Sequence, residues 1–199
     1  GHPLEGDLSN EMLDNYRCPD PLQDGRFAGV AAEARRVRET GSAVIMSAYG
    51  LGQWDYTHMI CGMQHALMNL VLKPKEMERL LRMIHEVQMG YWEKALEIVG
   101  DNIDIVMHSD DLGMQNSPMM SPDMYRRFIK PLHKELIGMV KKKAKSEVKF
   151  LLHSCGSVRA LIPDFIEVGV DILNPIQVSA AGMDTAELKR EFGKDLCFC

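Results

Sequence analysis

Residues 148–156 read Val-Lys-Phe-Leu-Leu-His-Ser-Cys-Gly, a short apolar run that stops abruptly at an imidazole, a hydroxyl, a thiol and a glycine. A run of this length bounded by turn residues is a β-strand signature. Its apolar residues follow one another instead of alternating with polar ones, which predicts a strand covered on both faces. The same form returns at 43–49 (AVIMSAY), 103–109 (IDIVMHS), 170–176 (VDILNPI) and 195–199 (DLCFC). Helical stretches lie between these runs. The first covers 54–72, and Pro74 then opens a periodic run from Lys75 to about Val99. In 121–145, Ser121 is an N-cap, Pro122 takes the first helical position and Pro131 is expected to bend or divide the helix. Shorter helices are expected at about 157–168 and at 184–192, the latter opened by Asp184 with Glu187 as a capping-box variant.

Covered strands that take turns with amphipathic helices define an α/β protein built on a parallel sheet. No phosphate-cradling glycine turn follows any strand: the Gly-x-Gly of YGLGQW (49–54) lacks the third glycine of a dinucleotide fingerprint, and there is no Walker lysine. A barrel is therefore favoured over a doubly wound sheet. A closed (β/α)8 TIM barrel takes about 250 residues, whereas 199 residues supply about five strands. The expectation is a partial TIM barrel, a fragment lacking strands at both ends. Residues 1–42 are read as an irregular segment (1–25) followed by a helix around 27–40, and 43–199 as the barrel domain.

At 46% hydrophobic and 26% charged the chain has ample core. With 23 basic against 28 acidic residues its net charge is −5, which repels a phosphate backbone and argues against nucleic acid. No run approaches the roughly 18 apolar residues of a membrane span. The opening GHPLEGDLSNEM has no secretory character, so a cytoplasmic protein is expected. Five cysteines, an odd count, point to reduced thiols or metal ligands more than to disulfides.

In a parallel barrel the chemistry gathers beyond the carboxyl ends of the strands. The residues there are Ser47 and Tyr49; His108, Ser109, Asp110 and Asp111; His153, Ser154 and Cys155; Asn174 and Gln177. His153 and Cys155 are two apart, so in extended chain they share a face, and imidazole plus thiolate is a zinc donor set. The bland alternative is a buried thiol beside a hydrogen-bonded histidine. A third ligand is sought in Cys199, in Asp110 or Asp111, or outside these residues. Other features read as structural: Met59, Met63, Met114, Met119 and Met120 as core packing, KKKAK (141–145) as a solvated helix end, and His58 and His65 as core or interface histidines.

Three blocks carry a resemblance: WDYTHMICGMQHALMNLVLKPKEMERLL from 54, HSDDLGMQNSPMMSPDMYRRFIKPLHKEL from 108, and HSCGSVRALIPDFIEVGVDILNPIQVSAAGMDTAELKREFG from 153. Together with the terminal strand they make 43–199 resemble the uroporphyrinogen decarboxylase (URO-D) superfamily, closer to its zinc-dependent corrinoid methyltransferase branch. The resemblance implies that His153 and Cys155 bind zinc, with a further cysteine located beyond Cys199. It also implies Asp110 and Asp111 as catalytic or orienting carboxylates, and Tyr49, Gln115, Asn174 and Gln177 as substrate-pocket residues. The activity it implies moves a methyl group between a corrinoid held on a partner protein and a thiol or a small methylated donor. Two alternatives stand beside it: cofactor-free uroporphyrinogen decarboxylation in porphyrin biosynthesis, and an inactive fragment or scaffold.

Overall fold

The computed structural model describes residues 1–48 and 52–199; Tyr49 lies outside the described residues. Five parallel strands, β1 (Ile45–Leu51), β2 (Ile105–Ser109), β3 (Lys149–His153), β4 (Ile172–Asn174) and β5 (Cys197–Phe198), stand side by side in chain order. The order β1-β2-β3-β4-β5 is that of a barrel wall, and the sheet is open between β1 and β5. This is the partial α/β barrel that the apolar runs predict.

Each crossover carries helices. Between β1 and β2 lie α3 (Gln53–Cys61), α4 (Met63–Leu72) and α5 (Pro74–Val99). α5 starts on Pro74, ends where Gly100 turns at φ +63°, and buries Met77, Leu80, Leu81, Ile84, Trp92, Leu96 and Val99 at three- and four-residue spacing. Trp92 is fully buried, and its truncation to alanine would cost about 3–5 kcal/mol. Between β2 and β3 come α6 (Pro122–Phe128) and α7 (Lys130–Lys143). Ser121 caps α6 by accepting from Met124 N (3.2 Å), and the helix divides at Ile129, so that Pro131 falls in the first turn of α7, where its missing N–H has no partner to lose. A 3-10 turn (Arg159–Leu161) and α8 (Ile162–Val168) follow β3, and α9 (Thr185–Phe192) follows β4. Asp184 accepts from Glu187 N (2.8 Å), while the Glu187 carboxylate pairs with Arg159.

The amino-terminal segment departs from expectation. Residues 10–15 form α1 (Asn10–Asn15), capped by Ser9 on Met12 N, with α2 (Val30–Glu39) behind it. Leu4, Leu8 and Leu13 are buried in the main core. Six residues are too few for periodicity to show, and tertiary burial sustains the helix. The methionines divide as well. Met120 is buried and Met119 packs on the core, but Met59, Met63 and Met114 are exposed, the first two flanking the Gly62 turn and the third on a loop. Among the described residues no helix is long and apolar enough to cross a membrane.

Candidate metal centre

Burial along 105–111 alternates strictly: Ile105, Met107, Ser109 and Asp111 are half-buried, whereas Val106, His108 and Asp110 are buried. Successive residues of a strand face opposite sides, so the period-two pattern of β2 continues through the two aspartates. One set looks into the concave face of the sheet. The other looks outward into the helices. The pattern repeats across β3, where His153 and Cys155 are half-buried and Leu152 and Ser154 are buried.

Asp111, His153 and Cys155 therefore meet at the carboxyl end of the sheet, with one donor atom of each within 4.8 Å of the others. His153 Nε2 lies 3.6 Å from Cys155 Sγ and 3.9 Å from Asp111 Oδ1. A tetrahedral zinc ion with ordinary bond lengths holds a nitrogen and a sulfur about 3.6 Å apart and a nitrogen and an oxygen about 3.4 Å apart. The His153–Cys155 pair is therefore spaced for such an ion, and Asp111 would close in by about half an ångström. His153 Nδ1 sits 2.7 Å from Asn174 Oδ1; because an amide oxygen only accepts, the proton is on Nδ1 and Nε2 is left bare toward the thiol and the carboxylate. Cys155 N donates to Asp111 Oδ1 at 2.7 Å. Burial pushes the Cys155 thiol up, and the carboxylates of Asp111 and Asp55 push it further, so the group carries local negative potential that a cation would relieve. The side chains of His153 and Asp111 are 27% and 36% exposed, which leaves one side of the group open to solvent and to a substrate.

The loops hold this geometry by close backbone contact. Gly156 adopts φ +85°, and a Cβ there would run into Gly113, while a Cβ on Gly113 would meet Cys155 O. Only glycine at both positions lets the 110–118 loop lie against 154–157, where Ser157 N donates to Met114 O and Ser154 Oγ accepts from Leu112 N. Gln177 Oε1 accepts from Gly156 N (2.9 Å), and the exposed Gln115 donates to Ser179 O. Asn174, Gln177 and Gln115, which the resemblance implies as pocket residues, are thus observed bracing His153 and the loops beside it.

Asp110 is not with this group. It is fully buried, and its Oδ1 accepts from Trp54 N and Asp55 N (both 2.9 Å), closing the amino terminus of α3, while Oδ2 lies 2.9 Å from His133 Nε2. Burial raises the Asp110 carboxyl well above the usual range, with Asp55 adding to the effect, and lowers His133 to about 4. His108 also turns outward, burial holding it at about 3. Cys199 ends on the exposed rim beside β4, where its N–H donates to Leu173 O.

Asp55 went unnoticed in the sequence. It is buried at the mouth, accepting from Asp111 N (3.1 Å) and from His58 Nε2 (3.2 Å), and so supports the backbone of Asp111 directly. Its signal is weak, a lone acid in an aromatic helix start.

A parallel α/β barrel wall that gathers a histidine, a cysteine and an aspartate at the carboxyl ends of its strands has the architecture of a (β/α)8-type barrel protein with its polar groups at the usual rim. The particular family is given by the sequence: the profile of the family described as Uroporphyrinogen decarboxylase (URO-D) matches residues 5–197, and the chain belongs to that family. No curated protein matches it. Among solved structures it is similar to a methyltransferase from Methanosarcina mazei, at 19% identity and a TM-score of 0.61, over 88% of this chain and 48% of that one. The chain thus spans about half the length of that structure, and the likeness is one of fold.

Proposed function

We propose that the protein acts as a zinc-dependent methyltransferase of the URO-D family, moving a methyl group between a corrinoid on a partner protein and a thiol or a small methylated donor. The observation that carries this reading is the convergence of Asp111 Oδ1, His153 Nε2 and Cys155 Sγ at an open strand end. The three residues suit zinc in chemistry, and His153 and Cys155 suit it in spacing and tautomer as well. Bound there, zinc would supply the positive charge that lets a thiol ionise near neutral pH. Asn174 orients the His153 ring, and Cys155 N and the Asp55 carboxylate fix the two ends of the Asp111 residue. Asp110 serves in this scheme as a positioning residue, since it anchors α3 and its own N–H donates to His153 O (2.9 Å). The exposed side of the group is where a small substrate and the corrinoid would approach. Five free cysteines accord with a reducing compartment such as the cytoplasm.

The experiment is metal content together with methyl transfer from methylcobalamin to a small thiol. Zinc lost in Cys155→Ala and His153→Ala, with activity lost alongside, is the expected result. A protein that releases carbon dioxide from uroporphyrinogen in the presence of a chelator would replace this reading with the decarboxylase one.

A further inference from the structure

Behind β2, separated from the mouth by the sheet, stands a second group of donors. His108 on β2, Asp110 just past it and His133 on α7 each place one donor atom within 4.8 Å of the others. All three are at most 1% exposed. We propose that they form a second, structural metal site, taking a divalent ion of the zinc class as the chain folds.

Hydrogen bonding assigns the proton positions. Gln53 Nε2 lies 3.0 Å from His85 Nδ1 and Gln53 Oε1 lies 3.1 Å from His108 Nε2. An amide nitrogen donates and an amide oxygen accepts, so His108 carries its proton on Nε2 and its Nδ1 is a bare lone pair. Among the described residues that Nδ1 has no hydrogen-bond partner, although the ring is 99% buried. A buried acceptor with no donor is costly, and a cation is one group that satisfies it. His133 Nδ1 is 3.1 Å from the Tyr125 hydroxyl, which can accept as well as donate. On ion binding His133 presents a bare Nε2 and keeps its own proton on Nδ1, where the Tyr125 oxygen accepts it, and the proton that burial favours on the Asp110 carboxyl leaves to solvent. Each ligand is then backed by a second partner: His108 by Gln53, His133 by Tyr125, and Asp110 by the amides of Trp54 and Asp55. Metal-binding histidines are oriented by such partners as a rule.

Charge is the opposing consideration. The α3 amides favour the Asp110 anion but burial outweighs them, and a divalent ion beside one carboxylate leaves a net positive charge in the core. Glu135 offsets part of it by proximity, its Oε2 standing 3.3 Å from His85 Nε2, and His85 is joined to His108 through Gln53.

The site is sealed, so its ion should exchange slowly, whereas the mouth exchanges quickly. Protein produced in zinc-supplemented medium should retain two ions per chain after desalting. A chelator should strip one from the native protein and release the second only in denaturant. Cys155→Ser should keep the slow ion alone, and His133→Gln the fast ion alone. Tyr125→Phe removes a single oxygen behind His133 and guards against loss of fold; it should release the slow ion at least tenfold faster from protein whose native circular dichroism is intact. A single slow ion in both wild type and Cys155→Ser would sustain this site while removing the one at the mouth. A wild-type protein emptied completely by chelator in its native state, or two ions in His133→Gln, would overturn the proposal.

Discussion

Asp110 and Asp111 are adjacent in sequence and differ in nearly every physical respect. Asp111 is a third exposed and faces the concave side of the sheet with His153 and Cys155. Asp110 is wholly enclosed and faces the helices, where α3 and His133 meet its two oxygens. One peptide step through a pleated strand separates an open donor group from a sealed one. The open group is reachable from solvent, and the sealed one ties α3, β2 and α7 together. Catalytic geometry built on regular elements depends on such support.

The strongest way to break this contrast is to truncate both carboxylates. Asp110→Ala strands two α3 amides and the His133 ring in the core, and should cost about 3–5 kcal/mol in urea unfolding. Asp111→Ala leaves a half-exposed amide that water can reach, and should cost about 1 kcal/mol or less. Equal losses for the two variants would contradict the division into sealed and open.

A second test separates support from ligation. Asn174→Ala frees the His153 ring without removing a ligand, and should weaken zinc binding about 10–100-fold by competition with a chromogenic chelator. The unfolding midpoint should hardly move, because Asn174 is only half-buried. A Kd within twofold of wild type would show that the Asn174 contact does not orient the ring.

Acidity sharpens the contrast from the sealed side. Burial holds the His85 imidazole at about 4 in the folded protein against 6.5 when exposed; Glu135 opposes this, while Arg82 and His133 reinforce it. Below pH 6.5 the unfolded chain therefore takes up a proton that the folded chain does not. Stability should fall as pH drops from about 6.5 to about 4, by up to roughly 1.4 kcal/mol per pH unit for this group. Urea midpoints at stepped pH check it, with His85→Gln flattening the slope. An unchanged slope in that variant would place the acid sensitivity elsewhere.

The smallest effect is expected far from both groups. Arg36 pairs with Glu33 on the exposed face of α2, and Arg36→Ala should leave both the unfolding midpoint and zinc content as they are.

Much of the architecture was legible because long-range order here follows from local pattern. Five parallel strands and the start of α5 at Pro74 need only apolar runs and proline chemistry, and the split before Pro131 follows from the same rule. The expected cover on both faces is not met: burial alternates along β2, and Ile45 and Cys197 are exposed because helices pack on one side of the open sheet. The His153–Cys155 pair was legible through strand alternation. The same rule applied to 105–111 separates Asp110 and His108 from Asp111, but the polar residues there read as a loop, where alternation is not expected. Asp55, Gln53, His85, His133 and Tyr125 were not legible as a network, since they come from α3, α5, α6 and α7 and meet only when those helices pack on β2. Likewise α1 exists because Leu13, with Leu4 and Leu8 just before the helix, finds the core, not because six residues favour a helix.

The central claim is that Asp111, His153 and Cys155 grip one divalent ion at the open end of the barrel wall. Its most direct measurement is the near-ultraviolet absorption of the protein loaded with Co2+. The account predicts a sulfur-to-cobalt charge-transfer band that disappears in Cys155→Ser and weakens in Asp111→Ala. Cobalt bound without that band, or a band that survives the loss of Cys155, would contradict it.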